Sequence, residues 1–178
     1  EPVMLIYNNK ISVCPITTHL DISDVSKKLT KKKIIEKIEI INDFYLKIFK
    51  KKIKFAVTGL NPHCESFKKD NAEKKIIIPA LNFLKKKKID VSGPFSADTV
   101  FIKKNLAKYD VIVGMYHDQV LAPIKTLFGF DAINITLGLP FIRISPDHGP
   151  NNEMIGKNNS DNKSLEQSIN FLKKNCGN

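Results

Sequence analysis

The sequence has few of the residues that mark disulfide-rich, membrane or nucleic-acid-binding proteins. Its three cysteines, Cys14, Cys64 and Cys176, are odd in number and lack CxxC spacing, which argues against a disulfide framework and a cysteine zinc site. No apolar run approaches the roughly 18 residues that cross a bilayer, and the first residues lack the order of a signal peptide. We therefore expect a cytoplasmic protein without membrane contact, whose 42% hydrophobic content suffices for one domain or two small lobes.

Arginine is also scarce, although the net charge is +11. Arg143 is the single arginine, and the other basic residues are lysines, in runs such as those at 31–33, 50–52 and 85–88. The runs lie near predicted helix ends, but cations stabilise a helix only at its carboxyl end. No aromatic residues alternate with these lysines, as they would on a surface that stacks bases. Because no RRM, KH or helix-turn-helix signature is found, we predict no nucleic-acid partner and interpret the lysines as compositional bias.

Apolar runs alternate with helical patterns along the chain. Six runs are typical of strands, at 3–7, 11–17, 53–59, 89–93, 110–116 and 131–138. Thr30 precedes a stripe of isoleucines and should cap a helix, while Asp70 and Glu73 resemble a capping box that opens a helix interrupted by Pro79. A last helix is predicted at 164–174. Strands separated by helices of this length indicate an α/β fold with a largely parallel sheet.

Three of the four histidines follow predicted strands. His19, His63 and His117 each come just after an apolar run, at the carboxyl ends where open α/β sheets build their ligand crevice. Imidazole nitrogen suits zinc, cobalt, iron and, less well, manganese, and a three-histidine site leaves positions open for substrate or water. The pattern therefore predicts a catalytic metal site. The fourth, His148, lies in "SPDHGP", which is typical of a loop that receives a ligand.

Six motifs, in order, carry a family resemblance. They are "TTHL" (17–20), "GLNPH" (59–63), "GPFSADTVF" (93–101), "MYHDQVLAPIK" (115–125), "AINITLGLPFIR" (132–143) and "SPDHGP" (145–150). Together they resemble the motifs of 4-hydroxythreonine-4-phosphate dehydrogenases, enzymes of pyridoxal 5′-phosphate biosynthesis. The resemblance extends from about residue 3 to about residue 174.

The resemblance implies a metal-dependent reaction. The family's metal ligands fall on His19, His63 and His117, and its substrate-binding residues fall on Lys125, Asn134 and Arg143. The expected cofactors are a divalent metal (zinc, magnesium, cobalt or manganese) and NAD or NADP. Oxidation of 4-phosphohydroxy-L-threonine would be followed by decarboxylation to 3-amino-2-oxopropyl phosphate. An arginine fork and a lysine are usual partners for the two anions of such a phosphorylated amino acid.

Further roles are assigned by position. Asp118 is a candidate for orienting a ligand or accepting a proton, and Asp98 is a second candidate that could equally be an amino-terminal helix cap. The sequence has no GxGxxG fingerprint, which fits a family similar to isocitrate and isopropylmalate dehydrogenases. On that basis His148, Gly149 and Gly156 are assigned to the cofactor, although Gly156 could also belong to a simple turn.

The resemblance also implies an architecture of two lobes around a cleft, with the active site at a homodimer interface. Residues 1–112 would form the central α/β lobe, and residues 113–178 would form part of the other lobe, whose amino-terminal segment is missing. We expect such a fragment to expose apolar surface and to turn over little substrate unaided. Three alternatives remain. They are a dehydrogenase of threonate or erythronate phosphate, a three-histidine metallohydrolase, which the absence of an HExxH motif disfavours, and a basic nucleic-acid-binding domain, which the absence of a recognition signature disfavours.

Overall fold

Seven strands form one sheet in the computed structural model of the chain, which describes residues 1–65, 70–149, 152–158 and 160–176. In chain order, the strands are β1 (Val3–Tyr7), β2 (Ser12–Pro15), β3 (Lys54–Thr58), β4 (Asp90–Phe95), β5 (Val111–Gly114), β6 (Ile133–Leu137) and β7 (Arg143–Pro146). Their order across the sheet is β4-β3-β5-β2-β1-β6-β7. The six strands expected from the apolar runs are confirmed, and β7 was missed.

The sheet is mixed. Strands β4, β3, β5 and β2 run parallel, whereas β1 is antiparallel to β2 and β6, and β6 is antiparallel to β7. The prediction of a largely parallel sheet is therefore wrong for one half of it. The reason is loop length, because the short connections 8–11 and 138–142 can only reverse the chain, while parallel strands need long crossovers.

Helices flank this sheet. They are α1 (Ile22–Lys28), α2 (Lys31–Phe49), α3 (Ile78–Lys86), α4 (Ala97–Val100), α5 (Lys103–Leu106), α6 (His117–Phe128) and α7 (Lys163–Cys176). A π-helical turn, Glu73–Ile77, leads directly into α3, and 3-10 turns cover Pro62–Cys64 and Asn152–Met154. In the parts of the chain that the structure describes, no helix is long and apolar enough to cross a membrane.

Helix boundaries follow local chemistry, with one correction. Thr30 caps α2 as predicted, since its hydroxyl accepts the main-chain N–H of Lys33 at 3.2 Å. The expected capping box at Asp70 is wrong: the Asn71 side chain accepts the N–H of Lys74 at 2.9 Å, and the Glu73 carboxylate is directed elsewhere. The π-helical turn becomes α-helical at Pro79, in the first turn of α3, as its ring disfavours uninterrupted helix.

Two apolar clusters hold the layers together. One lies between the sheet and α2, α3 and α7, and the other lies between the sheet and α6, where Val120, Leu121 and Ile124 are buried. Cys14 and Cys64 are free thiols. Residue 112, the predicted lobe boundary, lies inside β5, and strands from both sides of it share the sheet. The division into two lobes remains a prediction.

Candidate metal and substrate site

The three strands that precede His19, His63 and His117 are neighbours. Strands β3, β5 and β2 lie side by side and run parallel, so their carboxyl ends meet at one edge of the sheet. The loops that follow these ends carry the three histidines. The predicted placement of the histidines beyond the strand ends is thus confirmed.

His19 and His117 come together at this edge. Their ring centroids lie 5.6 Å apart, with the planes inclined by 40°. A hydrogen bond just beyond the ends of β2 and β5 positions the loop of His19: the Thr17 hydroxyl donates to the carbonyl of Met115 at 2.7 Å. His117 is the first residue of α6, and its Nδ1 lies 2.7 Å from Oδ1 of Asp118. Asp118 thus lies beside His117, and its role in orienting a ligand or accepting a proton remains a prediction.

His63 lies apart from that pair. Its Nδ1 is 3.9 Å from Oδ2 of Asp98, and both side chains are exposed. Within the described residues, no three His, Cys, Asp or Glu side chains are close enough to hold one metal ion. The structure therefore assembles two of the three predicted ligands and places the third at the next strand end. Asp98 is not an amino-terminal cap, because Ser96 occupies that position of α4 and donates its hydroxyl to Asp98 Oδ1 at 2.5 Å.

Gln119 joins the loops of His63 and His117, and sequence reasoning missed it. Its Oε1 accepts the main-chain N–H of Met115 at 2.7 Å and the hydroxyl of Thr58 at 2.8 Å. Its Nε2 donates to the carbonyl of Gly59 at 2.8 Å. The side chain is buried and bridges the ends of β3 and β5. The only available signal was a glutamine within an otherwise apolar helix face.

Glu73 braces the loop that carries His63. Its Oε1 accepts the main-chain N–H groups of Leu60 and Asn61, both at 2.8 Å, and its Oε2 accepts the Asn61 side-chain amide at 2.8 Å. Burial alone would raise the pKa of the Glu73 carboxyl group, but the hydrogen bonds from Asn61 and Leu60 outweigh it and hold the pKa below its usual value. The brace therefore depends on a charged carboxylate, and sequence reasoning assigned Glu73 to a cap instead.

Lys125 is held toward the protein. Its ammonium donates to the main-chain carbonyl of Asp147 and lies 2.8 Å from Oδ2 of the same residue. The ammonium also lies 5.2 Å from the ring centroid of Phe130. The side chain keeps 32% of its surface exposed, so one side remains open to a ligand. The predicted substrate lysine is thus available, but it has an ionic partner that the sequence did not indicate.

Asn134 and Arg143 lie on neighbouring strands. Asn134 of β6 faces Ser145 of β7, and Thr136 faces Arg143. Arg143 donates to the Thr136 hydroxyl at 2.8 Å and is otherwise exposed. Oδ1 of Asn134 is buried without a hydrogen-bond partner among the described residues. A buried acceptor of this kind is costly unless a donor reaches it, which suits a residue that meets a ligand.

The three residues assigned to the cofactor lie beyond β7. The His148 ring meets Phe130 edge to face at 6.3 Å, and its Nδ1 lies 3.3 Å from the carbonyl of Gly149. Gly156 has a φ of +76°, and a Cβ added at Gly149 or Gly156 would meet nothing within 4 Å. These are open loop positions. Residues 150 and 151, between them, lie outside the described part of the chain.

The side chains at the strand ends suit a divalent metal by type. Two imidazoles already lie side by side, a third follows the adjacent strand, and two carboxylates, of Asp118 and Asp98, accompany them. Imidazole and carboxylate groups of this kind bind zinc, cobalt and manganese. The residues present therefore fit such an ion, provided that His63 approaches the other two.

Known proteins share both the sequence and this architecture. The family model described as pyridoxal phosphate biosynthetic protein PdxA matches residues 1–172. The chain belongs to the PdxA family. A 4-hydroxythreonine-4-phosphate dehydrogenase of Sulfurihydrogenibium sp. is 43% identical over 171 residues, which are 95% of this chain and 52% of that relative. One of Bradyrhizobium diazoefficiens is 40% identical, over 93% of this chain and 48% of the relative.

PdxA structures extend the comparison to the fold. The crystal structure of a 4-hydroxythreonine-4-phosphate dehydrogenase from Klebsiella pneumoniae superposes with a TM-score of 0.81 at 34% identity, over 96% of this chain and 52% of that one. A terephthalate dihydrodiol dehydrogenase from Burkholderia xenovorans, at 22% identity and a TM-score of 0.74, shows the fold alone. The chain spans about half the length of the PdxA relatives it matches. The resemblance drawn from the six motifs is confirmed.

Proposed function

We propose that the chain provides part of an enzyme that oxidises 4-phosphohydroxy-L-threonine with NAD or NADP and then releases carbon dioxide, giving 3-amino-2-oxopropyl phosphate for pyridoxal 5′-phosphate synthesis. The pairing of His19 and His117 at the sheet edge carries the proposal, because it is the beginning of an open imidazole site. The names of the PdxA relatives supply the substrate.

The reaction needs a polarised hydroxyl group. A divalent ion bound here would supply Lewis acidity to the substrate hydroxyl, and NAD or NADP would supply the acceptor for the hydride. We assign His19, His117 and, after an approach, His63 to hold that ion. The ketone formed lies β to the substrate carboxylate, so the carbon–carbon bond breaks readily and carbon dioxide leaves. Asp118 and Asp98 lie beside two of these histidines, and we assign them to accept or return protons.

The substrate's polar groups have matching partners. Arg143 offers a planar fork and Lys125 a point charge for the phosphate and carboxylate. Oδ1 of Asn134, which has no partner among the described residues, can accept a hydrogen bond from the substrate's ammonium or hydroxyl group. His148, Gly149 and Gly156 lie in the open loop beyond β7, where they would meet the cofactor.

The remainder of the site is proposed to come from outside these residues. We infer an isocitrate dehydrogenase-like arrangement of two lobes, a missing amino-terminal part, and a homodimer that completes the cleft. Phe141 and Ile155, which are 63% and 78% exposed, support the idea of an uncovered apolar surface. The proposed enzyme would act in the cytoplasm, where its phosphorylated substrate and nicotinamide cofactor occur.

Turnover tests the proposal. The chain is mixed with the missing lobe of a PdxA relative, a divalent metal, NAD or NADP and 4-phosphohydroxy-L-threonine, and reduced nicotinamide is followed by its absorbance. We expect reduction that depends on metal and is abolished in His117→Ala, with Lys32→Ala as the matched surface control. The isolated chain should show little turnover. Faster reduction with threonate or erythronate phosphate would reassign the substrate, and hydrolysis of esters without nicotinamide reduction would contradict the proposal.

A further inference from the structure

Asp147 lies between the predicted substrate lysine and the cofactor loop, and its position is unusual for a loop carboxylate. It is 7% exposed and immediately follows β7. Its main-chain N–H donates to the Ser164 hydroxyl at 2.7 Å, and that hydroxyl donates to the carbonyl of Ala132 at 2.5 Å. Ser164 is fully buried at the beginning of α7. The main chain of Asp147 is therefore fixed independently of its carboxylate.

Among the described residues, the Asp147 carboxylate pairs with the ammonium of Lys125. Its Oδ2 lies 2.8 Å from Nζ of Lys125, the length of a charge-assisted hydrogen bond, and the same ammonium donates to the main-chain carbonyl of Asp147. A carboxylate buried this far is costly unless a cationic neighbour pairs with it. The neighbour here is Lys125.

This pair lies at the end of a polar row on the face of the sheet that α6 covers. Alternation along β7 puts Arg143 and Ser145 on one face, Asn134 of β6 lies opposite Ser145, and Asp147 follows the strand and contacts Lys125 of α6. The orphaned oxygen of Asn134, the exposed fork of Arg143 and the ammonium of Lys125 thus share one surface. Asp147 is the acidic residue next to these groups.

We propose that Asp147 is a positioning residue that holds the ammonium of Lys125 in the orientation from which it meets the substrate's anion. This inference rests on the proposed function for the identity of the anion. An ammonium has three N–H donors, and the carbonyl and carboxylate of Asp147 engage its inner side. The exposed 32% of the side chain leaves the outer side for a phosphate or carboxylate oxygen. Since the main chain of Asp147 is anchored by Ser164, the geometry is fixed before the ligand arrives.

Competitive labelling of lysines with trace acetic anhydride, read by peptide mass spectrometry, tests this in the intact chain. The other lysines serve as internal standards. In wild type, Lys125 should label slowly, and inorganic phosphate should slow it further. In Asp147→Asn, which keeps the shape and the main-chain carbonyl, Lys125 should label about tenfold faster, because no carboxylate then holds the amine inward, away from the reagent. The phosphate concentration for half protection should rise about fivefold, as the ammonium is no longer oriented.

Asp131→Asn is the matched control. Asp131 lies 3.9 Å from Lys163 in the same region, so this variant should change the labelling of Lys163 and leave Lys125 unchanged. Unchanged labelling of Lys125 in Asp147→Asn would overturn the proposal and leave Asp147 a structural residue. Tighter phosphate protection in that variant would overturn it as well, since Asp147 would then merely compete with the anion. Absence of phosphate protection in wild type would overturn the anion step, whereas failure of the proposed dehydrogenase reaction would appear separately, in nicotinamide reduction.

Discussion

The imidazole rings of His19 and His117 lie with their centroids 5.6 Å apart, although 98 residues separate them in sequence (117 minus 19). The contact arises because β2 and β5 are adjacent parallel strands that end together. The N–H groups of Ile16 and Thr17 donate to the carbonyls of Gly114, the last residue of β5, and Met115, which extends the pairing toward the histidines. Strand pairing alone therefore brings the two imidazoles together, and their binding of a shared metal ion remains a prediction.

We expect Co²⁺ to bind through this pair. His19→Ala and His117→Ala should each weaken Co²⁺ binding by about a hundredfold, because loss even of a partner that orients a ligand costs about 10- to 100-fold. His63→Ala should have a similar effect if the ion draws His63 to the other two. The measurement is the visible absorption of Co²⁺ during titration of the chain, and a chelator should reverse it.

His148→Ala is the control for metal binding, since His148 lies beside Phe130 beyond β7 and contacts none of the other histidines. Its Co²⁺ affinity should match that of wild type. Equal affinity of His117→Ala and wild type would refute the metal site.

The strands and the positions of the histidines could be predicted because both depend on the local pattern of apolar and polar residues. Apolar runs bounded by polar residues marked six strands, and the residues after them located the histidines, because the side-chain period of a strand and its ends are local features. Strand β7 escaped because "RISP" is short, begins with the only arginine and ends in a proline that reads as a loop.

Partners across the sheet could not be predicted in the same way. Glu73 was predicted to belong to a capping box, yet it braces the loop of His63. Lys125 was assigned to the substrate, with no indication that it also pairs with Asp147. In both cases the partner comes from another element, so only the tertiary fold decides which polar group is nearest. The separation of His63 from His19 and His117 has the same origin. Adjacent strand ends determine that the three residues lie at one edge of the sheet, but they do not determine how far apart the side chains are.

Acid should weaken the brace at Glu73. The folded protein holds the Glu73 pKa below its unfolded value, so the stabilisation is fully present above the unfolded pKa and is lost as the pH falls through the lower folded pKa. We therefore expect the unfolding free energy of wild type to fall more steeply than that of Glu73→Gln between about pH 5 and pH 2. Urea unfolding at several pH values measures this difference.

At neutral pH, Glu73→Gln should itself cost about 1 to 3 kcal/mol, since the new amide would oppose the Asn61 amide. Glu36→Gln is the matched control, because Glu36 only faces Lys32 at 3.6 Å on the exposed side of α2. Its cost should stay below about 0.5 kcal/mol. If the unfolding free energies of wild type and Glu73→Gln changed equally with pH, the Glu73 carboxylate would not act as the proposed brace.

Gln119 should be as important to stability as a core residue. Gln119→Leu leaves the N–H of Met115 and the carbonyl of Gly59 without partners, and leaves the hydroxyl of Thr58 only its longer contact with the carbonyl of Val113 at 3.4 Å, at a cost of about 2 to 4 kcal/mol. Urea unfolding gives the loss, and Gln167→Leu, at the other glutamine of the chain, should cost less than about 1 kcal/mol. A cost for Gln119→Leu no greater than this would mean that the two loops are held by other contacts.

Gly114 should tolerate no side chain, because β5 turns into α6 in very little space. A Cβ at Gly114 would lie 2.4 Å from Cγ1 of Val120 and 3.1 Å from Oε1 of Gln119, so Gly114→Ala must push both away from the strand end. We expect a loss of about 1 to 3 kcal/mol in urea unfolding, the usual cost of overpacking. Gly149→Ala is the matched control, since nothing among the described residues lies within 4 Å of its added Cβ, and it should cost less than about 0.5 kcal/mol.

Because the Gly114 variant displaces the first turn of α6, which begins at His117, it should also weaken Co²⁺ binding, whereas the Gly149 variant should not. Equal stability of the two variants would show that the turn can widen, and that the position of His117 is not set by close packing at Gly114.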